Sequence, residues 1–284
     1  MHTAIWSAKE RVVIGPDQPV VIIGERINPT GRPRLAAALQ AGDMAPLQSE
    51  ALRQARAGAA VLDVNVGVAG IDEPAALAAA VRAVGEVCGT PLCLDSASPQ
   101  ALEAALAAYP GKALVNSVNG EEAKLREVLP LVARYKAAVV ALTMDGRGVP
   151  TDADSRLAIA ERILDEAARL GIPAEDVVLD PLAMSVAADD QAGLVVLTAM
   201  QAIRDRLGVN QTVGAGNVSF GLPERPAVGA VFLAMAVLRG CTCPITDPTV
   251  WELKRALLVS DLLLGRDEYA MRFIGAYRQH EEEI

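Results

Sequence analysis

The feature that most constrains the fold is a repeated alternation of short apolar runs with longer amphipathic or alanine-rich stretches. Runs of strand length lie at residues 20–25, 60–65, 91–95, 113–117, 138–144, 177–180, 211–216 and 241–247. Continuous apolar runs are typical of strands buried on both faces, and strand–helix alternation implies parallel strands joined by helical crossovers. Eight such units in a chain of 284 residues predict an α/β fold, a closed (β/α)8 barrel of the TIM type.

Helix boundaries support this division. Asp72 lies two residues before Pro74, Ser98 precedes Pro99 and Asp247 precedes Pro248, and each pair predicts a helix start with a capping side chain and a proline in the first turn. No internal repeat or linker divides the chain. We therefore expect one domain, residues 1–284, with an N-terminal hairpin or cover at 1–19, the barrel at 20–265 and a C-terminal helix and tail at 266–284.

The C-terminal tail carries Tyr269, Phe273 and Tyr277 at helical spacing. This spacing predicts a helix with one aromatic face. We expect this helix to pack back on the barrel, and the alternative is a contact between two copies of the chain.

Charge and composition exclude several classes of function. A formal net charge of −9 and 3% aromatic residues argue against a nucleic-acid-binding protein, which needs clustered cations and exposed rings. No apolar segment approaches the roughly 20 residues that span a bilayer, so we expect a soluble, cytoplasmic protein without membrane association. Its cysteines are then expected to be reduced thiols. Cys241 and Cys243 form C-x-C, and the alternative for this pair is half of a zinc site.

The histidines restrict the chemistry further. His2 and His280 lie near the chain ends, so we expect chemistry in the body of the protein to proceed without imidazole. This argues against Ser-His-Asp hydrolysis, Cys-His thiol catalysis and most catalytic zinc sites.

Polar residues cluster where the predicted strands end, which is where barrels of this type carry their active sites. These residues are Glu25, Arg26, Asn28, Asp63, Asn65, Asp95, Asn116, Ser117, Asp180, Asn217, Ser219 and Asp247. Any one of them can cap a helix or close a turn, and Ser117 and Asp247 are the best candidates for that structural role. Asp95, Asn116 and Asp180 should instead converge on one opening, where they need a ligand or each other.

Carboxylates and amides suit a neutral flat heterocycle that presents adjacent N–H donors beside a carbonyl. A phosphorylated substrate would call for cations or glycine-rich backbone donors. The GAGN segment at residues 214–217 is such a glycine-rich loop, but it has no lysine nearby. A phosphosugar enzyme therefore remains an alternative.

Seven segments resemble the methyltetrahydrofolate:corrinoid protein methyltransferases when they are taken together and in order. They are IIGERINPTGR, VLDVNVG, LCLDS, LVNSVN, ALTMD, VLDPL and GNVSFGLPER. The folate module of methionine synthase is similar, and dihydropteroate synthase is a more distant relative. The resemblance covers roughly residues 20–275 and implies methyl transfer between N5 of methyltetrahydrofolate and the cobalt of a corrinoid.

The resemblance also implies roles for individual residues. Asp95, Asn116 and Asp180 match the residues that hydrogen-bond the pterin ring, and the two aspartates read its amino-pyrimidine N–H donors. Asn217 matches the asparagine near N5, so that Asn217 and Asp95 are the expected catalytic residues. Asp63 and Asn65 match the motif that lines the same mouth, and Arg225 has a supporting role. The chain lacks an Asp-x-His-x-x-Gly corrinoid-binding segment, so the cobalamin should be carried by a partner corrinoid protein, and no metal of its own is required. A homodimer is expected from the family.

The sequence departs from its relatives at two places. Gly216 and Phe220 replace a more polar run, which should alter the side that faces the corrinoid. The lysine of the dihydropteroate synthase G-x-S-R-K segment and that enzyme's first loop are missing, which disfavours synthase activity. A dihydropteroate synthase-like transferase and a folate-binding protein without turnover remain the alternatives.

Overall fold

Parallel strands form one curled sheet in the computed structural model, which describes residues 1–283. The strands of this sheet are β3 (Ile23–Ile27), β4 (Val61–Asn65), β5 (Leu92–Asp95), β6 (Leu114–Asn119), β7 (Ala138–Leu142), β8 (Val177–Asp180) and β9 (Ile245–Thr246). Their order is β8-β7-β6-β5-β4-β3-β9, so every strand from β3 to β8 pairs with its neighbour in sequence. This order is that of a TIM-type barrel, as the sequence predicts.

Helices follow the strands and cover the outside of the sheet. They are α1 (Pro33–Gln40), α2 (Ala45–Ala57), α3 (Glu73–Val87), α4 (Pro99–Ala108), α5 (Glu122–Tyr135), α6 (Ala153–Arg169), α7 (Ala192–Arg206), α8 (Arg225–Leu238), α9 (Trp251–Leu263) and α10 (Met271–Glu283). Short 3-10 turns lie at Ala174–Asp176, Ala215–Asn217 and Glu268–Ala270. None of the helices within residues 1–283 combines the length and the apolar character needed to cross a membrane.

The barrel closes through a segment that is not a regular strand. Leu179 N donates to Asn210 O (3.0 Å) and Thr212 N donates to Leu179 O (2.9 Å), while Ile245 N donates to Val213 O on the other side (3.0 Å). The prediction of a strand over residues 211–216 is therefore wrong in extent. The chain forms isolated bridges up to Gly214 and then enters the 3-10 turn at Ala215–Asn217.

Two of the three predicted helix starts are confirmed. Asp72 Oδ1 accepts from Ala75 N (3.1 Å) before α3, and Ser98 Oγ accepts from Ala101 N (3.3 Å) before α4. The predicted start at Asp247 is wrong, because α9 begins at Trp251. Asp247 instead closes a turn and accepts from Thr249 N (2.9 Å).

The N-terminal cover is an antiparallel hairpin of β1 (Thr3–Trp6) and β2 (Arg11–Ile14). Ile5 and Ile14 are fully buried. They belong to the apolar cluster inside the barrel, together with Val61, Cys93, Leu114, Val178 and Cys243. Trp6 N donates to Lys112 O (3.0 Å) and Thr3 Oγ1 donates to Glu175 O, just before β6 and β8 begin. The hairpin therefore closes the amino end of the barrel, opposite to the predicted site. The predicted division at residues 19 and 265 stays a prediction.

The C-terminal helix α10 packs back on the barrel as expected. Arg272 Nη1 lies 2.9 Å from Asp261 Oδ2 on α9, and the His280 ring stacks on Trp251 with centroids 4.1 Å apart. Tyr269 is 85% exposed and Tyr277 is 44% exposed. Tyr269 belongs to the preceding 3-10 turn and Phe273 is half-buried. The prediction that the helix packs back is confirmed, with an ion pair and one ring stack among its contacts.

Candidate functional site

The strand register brings the polar residues of three neighbouring strands together. Asn65 at the end of β4 pairs with Asp95 at the end of β5, and Asp95 pairs in turn with Asn116 on β6. Asp180 ends β8 beside Leu142 of β7. Because all these strands are parallel, their carboxyl ends open at the same mouth of the barrel.

Each amide of this group is bound to a carboxylate on another strand, Asn65 on the adjacent strand β5 and Asn116 across β5 on strand β4. Asn65 Nδ2 donates to Asp95 Oδ2 (3.0 Å), and Asn116 Nδ2 donates to Asp63 Oδ1 (3.1 Å). Asn65 Oδ1 also accepts from Gly67 N (2.8 Å), so both ends of the Asn65 amide are occupied. Asn65 therefore orients Asp95 rather than presenting a free group.

Asp63 and Asp95 form a buried acid pair. Burial raises the pKa of Asp63 well above its usual range, and the nearby charge of Asp95 raises it further. Burial also raises the pKa of Asp95, although hydrogen bonds with Asn65 and Asp63 oppose that effect. Two carboxylates this close cannot both ionise easily. The pKa values of both acids are therefore raised, and the pair resists ionisation of both carboxyl groups at once.

Asp180 is 5% exposed and has no ion-pair partner within residues 1–283. Its Oδ1 accepts from Leu182 N (2.7 Å). Burial raises the pKa of Asp180 to about 7, although the Leu182 hydrogen bond and the charge of Arg156 act in the opposite direction. Burying an ionised carboxylate without a cation is unfavourable unless its oxygens accept hydrogen bonds. Asp180 is therefore available to accept N–H donors from a ligand.

Arg156 is a residue that the sequence analysis missed. It is 2% exposed on α6 and donates from Nη1 to Pro181 O (2.6 Å) and Leu182 O (2.8 Å). It thereby fixes the loop that follows Asp180. Helical spacing could have identified Arg156, since it lies on the apolar face of α6 beside Leu157 and Ile159.

Asn217 lies on an exposed turn rather than on a strand. Its side-chain amide forms no hydrogen bond within residues 1–283. Arg225, at the start of α8, braces the turn: its Nη2 donates to Gly216 O (2.9 Å), and its guanidinium lies 5.8 Å from the Phe220 ring centroid. The supporting role expected for Arg225 stays a prediction.

Glu25 and Arg26 complete the mouth at the end of β3. Arg26 Nε lies 3.3 Å from Asp247 Oδ2. Burial raises the pKa of Glu25 to about 7, and the charge of Asp247 adds to this, while Arg26 and Arg225 oppose it. The sequence analysis placed Glu25 among the strand-end residues but gave it no role.

The ion pairs within residues 1–283 leave Asp63, Asp95 and Asp180 unused. The structure thus collects these acids at one mouth without neutralising them against cations. The four cysteines are buried, free thiols. In the described part of the chain, Cys241 and Cys243 belong to no group of three or more residues that could hold a metal ion.

Comparison with known proteins identifies relatives along most of the chain. The profile of the family described as "Pterin binding enzyme" matches residues 24–247. A methylcorrinoid:tetrahydrofolate methyltransferase from Eubacterium limosum is 31% identical over 263 residues, which cover 92% of this chain and 97% of the relative. Methionine synthase from Mycobacterium tuberculosis is 32% identical over 243 residues, which cover 81% of this chain but 20% of the relative.

Solved structures agree on the fold. Dihydropteroate synthase from Thermus thermophilus superposes with a TM-score of 0.68 and 22% identity, covering 92% of this chain and 99% of that one. A similarity at this level of identity supports the barrel architecture and nothing finer. On the family match and the long relative together, the chain belongs to the pterin-binding enzyme family.

Proposed function

We propose that this protein is a methyltransferase that moves a methyl group between N5 of methyltetrahydrofolate and the cobalt of a corrinoid carried by a separate protein. The observation that carries the proposal is the group of carboxylates and amides at the barrel mouth, which no cation neutralises within residues 1–283. Membership of the pterin-binding family and the relative matched over 97% of its length support it.

In this proposal the pterin ring binds through its amino-pyrimidine edge. Asp95 and Asp180 accept its adjacent N–H donors, since an ionised carboxylate is an acceptor on both oxygens. Asn116 binds the ring through Oδ1, because its Nδ2 is held by Asp63. Asp63 orients Asn116 and Asn65 orients Asp95, each through a hydrogen bond between their side chains.

The other end of the ring faces Asn217. A methyl group on a tertiary amine is hard to displace unless N5 gains a proton or a strong hydrogen bond. Asn217 can donate a hydrogen bond to N5 but has no acidic proton to give at neutral pH. Its role is therefore to stabilise and orient, and the proton must come from another group or from water held near Asn217.

The corrinoid is a second substrate in this reaction. The printed name of the Eubacterium limosum relative gives the methylcorrinoid as one reactant and tetrahydrofolate as the other. We propose the same pair here, with the corrinoid protein docked over the mouth beside the exposed turn at Ala215–Asn217. We also propose a homodimer, which light scattering of the purified protein tests.

The test is a methyl-transfer assay followed by corrinoid absorbance. Wild-type protein should demethylate methyltetrahydrofolate in the presence of cob(I)alamin and form methylcobalamin. Replacing Asn217 with alanine should reduce kcat about 100- to 1,000-fold, the effect of losing one well-placed donor, with folate affinity nearly unchanged. The exposed amide Gln191 supplies a matched control, since Gln191→Ala should leave both quantities unaltered. Equal losses in rate and affinity for Asn217→Ala would reject the assigned role.

Two other functions give different results in the same preparation. A dihydropteroate synthase-like enzyme would condense a pterin pyrophosphate with 4-aminobenzoate and would not methylate cobalamin. A folate-binding protein without turnover would bind methyltetrahydrofolate tightly and transfer nothing.

A further inference from the structure

We infer that Glu25 is the acid–base residue that exchanges a proton with N5 of the folate during methyl transfer. This inference rests on the proposed function and assigns the proton that Asn217 cannot supply.

The position of Glu25 is the first argument. A Cβ atom built on Gly216 would lie 3.9 Å from Glu25 Oε1, so the carboxyl group lies against the turn that carries Asn217. The negative charge of Glu25 also contributes to the raised pKa of Asp63 on the adjacent strand β4. Glu25 therefore lies between the residues assigned to the two ends of the pterin.

The second argument is the lack of a fixed partner. The Glu25 carboxyl forms no hydrogen bond or ion pair with any other group in residues 1–283. The other acids of the mouth are engaged: Asp63 with Asn116, Asp95 with Asn65 and Asp180 with Leu182 N. A half-buried carboxyl with no partner at a ligand-binding mouth is free to contact the ligand.

The charges around Glu25 suit proton exchange near neutral pH. Burial and the charge of Asp247, which follows β9, disfavour its ionised form, while Arg26 and Arg225 favour it. On β4, Asp63 interacts with the charge of Glu25. Arg26 is shared with Asp247, and Arg225 donates to Gly216 O, so neither cation fixes the carboxylate. The resulting pKa of about 7 matches what a residue needs in order to act in both directions.

The step balances as follows. In the direction from folate to cobalt, the Glu25 carboxylic acid gives its proton to the N5 lone pair. The electron pair of the Co(I) corrinoid then attacks the methyl carbon, and the C–N bonding pair returns to N5. The products are tetrahydrofolate with N5–H, a methyl–Co(III) corrinoid and the Glu25 carboxylate. In reverse, N5 attacks the methyl group, cobalt leaves as Co(I), and the Glu25 carboxylate takes the proton.

The experiment compares Glu25→Gln with wild-type protein in single-turnover transfer from methyltetrahydrofolate to cob(I)alamin between pH 5.5 and 8.5. Wild-type rates should fall about tenfold per pH unit above about pH 7, because the acid form is required. For transfer from methylcobalamin to tetrahydrofolate the dependence should invert, with rates falling below about pH 7. Glu25→Gln should lower the rate about 100- to 10,000-fold and remove the break near pH 7.

Controls separate chemistry from binding and folding. Glu86→Gln removes an exposed carboxylate near the C-terminal end of α3, outside the mouth, and should leave the rate and its pH profile unchanged. Methyltetrahydrofolate affinity and thermal unfolding of Glu25→Gln should match those of wild type. Glu25→Asp should recover part of the rate, because it restores the acid at a shorter reach.

The outcomes separate this inference from the proposed function. A wild-type protein that transfers no methyl group in either direction would overturn the proposed function. Active wild-type protein together with a Glu25→Gln variant that keeps the rate, or keeps the break near pH 7, would overturn the role of Glu25 alone.

Discussion

At the residue scale, the mouth holds acidic groups at a cost to stability. Asp180 is buried without a cation bound to it, and its pKa rises to about 7 from the usual 3.8. A raised carboxyl pKa means that the folded protein binds a proton more tightly than the unfolded chain does. Its contribution to stability is therefore complete below about pH 4 and is lost progressively as the pH rises to about 7.

The variant Asp180→Asn tests this linkage. Between pH 5 and pH 8 the free energy of unfolding should fall by about 2 to 3 kcal/mol more in wild type than in the variant, since each unit of pKa shift corresponds to about 1.36 kcal/mol. Urea unfolding at the two pH values measures the difference. Asp165→Asn, which changes an exposed aspartate on α6, should behave like wild type. A variant whose stability keeps the wild-type pH slope would show that Asp180 is not the group responsible.

The sequence was informative about which residues lie at the mouth and silent about their partners. A polar residue at the end of an apolar run is visible in the chain, so Asp63, Asp95 and Asp180 could be placed in advance. The pairing of Asn116 with Asp63 rather than with Asp95 depends on strand register, which no single segment encodes. The Asn116 hydrogen bond lowers the pKa of Asp63 and so opposes the effect of burial, which raises it.

At the scale of elements, the turn carrying Asn217 depends on the first residue of α8. Arg225 holds the turn through Gly216 O. Replacing Arg225 with methionine keeps side-chain length but removes the donor. One charge-assisted hydrogen bond contributes about 1.5 to 3 kcal/mol. Its loss should displace the turn that carries Asn217 and slow methyl transfer by roughly 10- to 100-fold.

Pterin affinity provides the contrast for this variant. The strand residues that bind the ring in our proposal do not contact Arg225, so the Kd for methyltetrahydrofolate should change by less than about threefold, which is under 1 kcal/mol. Isothermal titration with the Arg225→Met protein measures it, and a parallel loss of affinity would argue that the turn belongs to the binding surface as well.

Element boundaries were predictable where one local interaction determines them. Asp72 and Ser98 cap their helices by accepting from a backbone N–H three residues ahead, which is a contact within one short segment. Asp247 failed as a predicted start because Arg26 and Thr249 both bind its carboxylate. The strand predicted at 211–216 was wrong in extent, because the chain forms only isolated bridges to two neighbours up to Gly214 and then a 3-10 turn. This pairing is a property of barrel closure rather than of composition.

At the scale of the whole molecule, the two ends of the barrel differ in role, one being apolar and structural and the other polar and assigned to ligand binding. The β1–β2 hairpin fills one end with Ile5 and Ile14, both fully buried, and the polar mouth occupies the other. The sequence predicted that α10 packs on the barrel but not through which residues, because periodicity defines a face and not what covers it.

Replacing Ile14 with alanine tests this separation. The cavity left behind should lower the free energy of unfolding by about 2 to 5 kcal/mol, as measured by urea denaturation, while folate affinity and kcat at 25 °C remain at wild-type levels. Leu194→Ala, at a position that is 64% exposed, is the control and should cost little. A loss of affinity in folded Ile14→Ala protein would indicate that the hairpin and the mouth are coupled.

The turn at Ala215–Asn217 differs in kind from the strands around it. The groups assigned to binding the vitamin are built into the hydrogen-bonded sheet, whereas the amide assigned to the reacting nitrogen lies on a solvent-facing loop braced by Arg225. Mutations in that loop can therefore accumulate without disturbing the ring contacts. New methyl acceptors should be obtainable by randomising residues 218–224 alone, with Asn217 and the remainder of the chain kept constant.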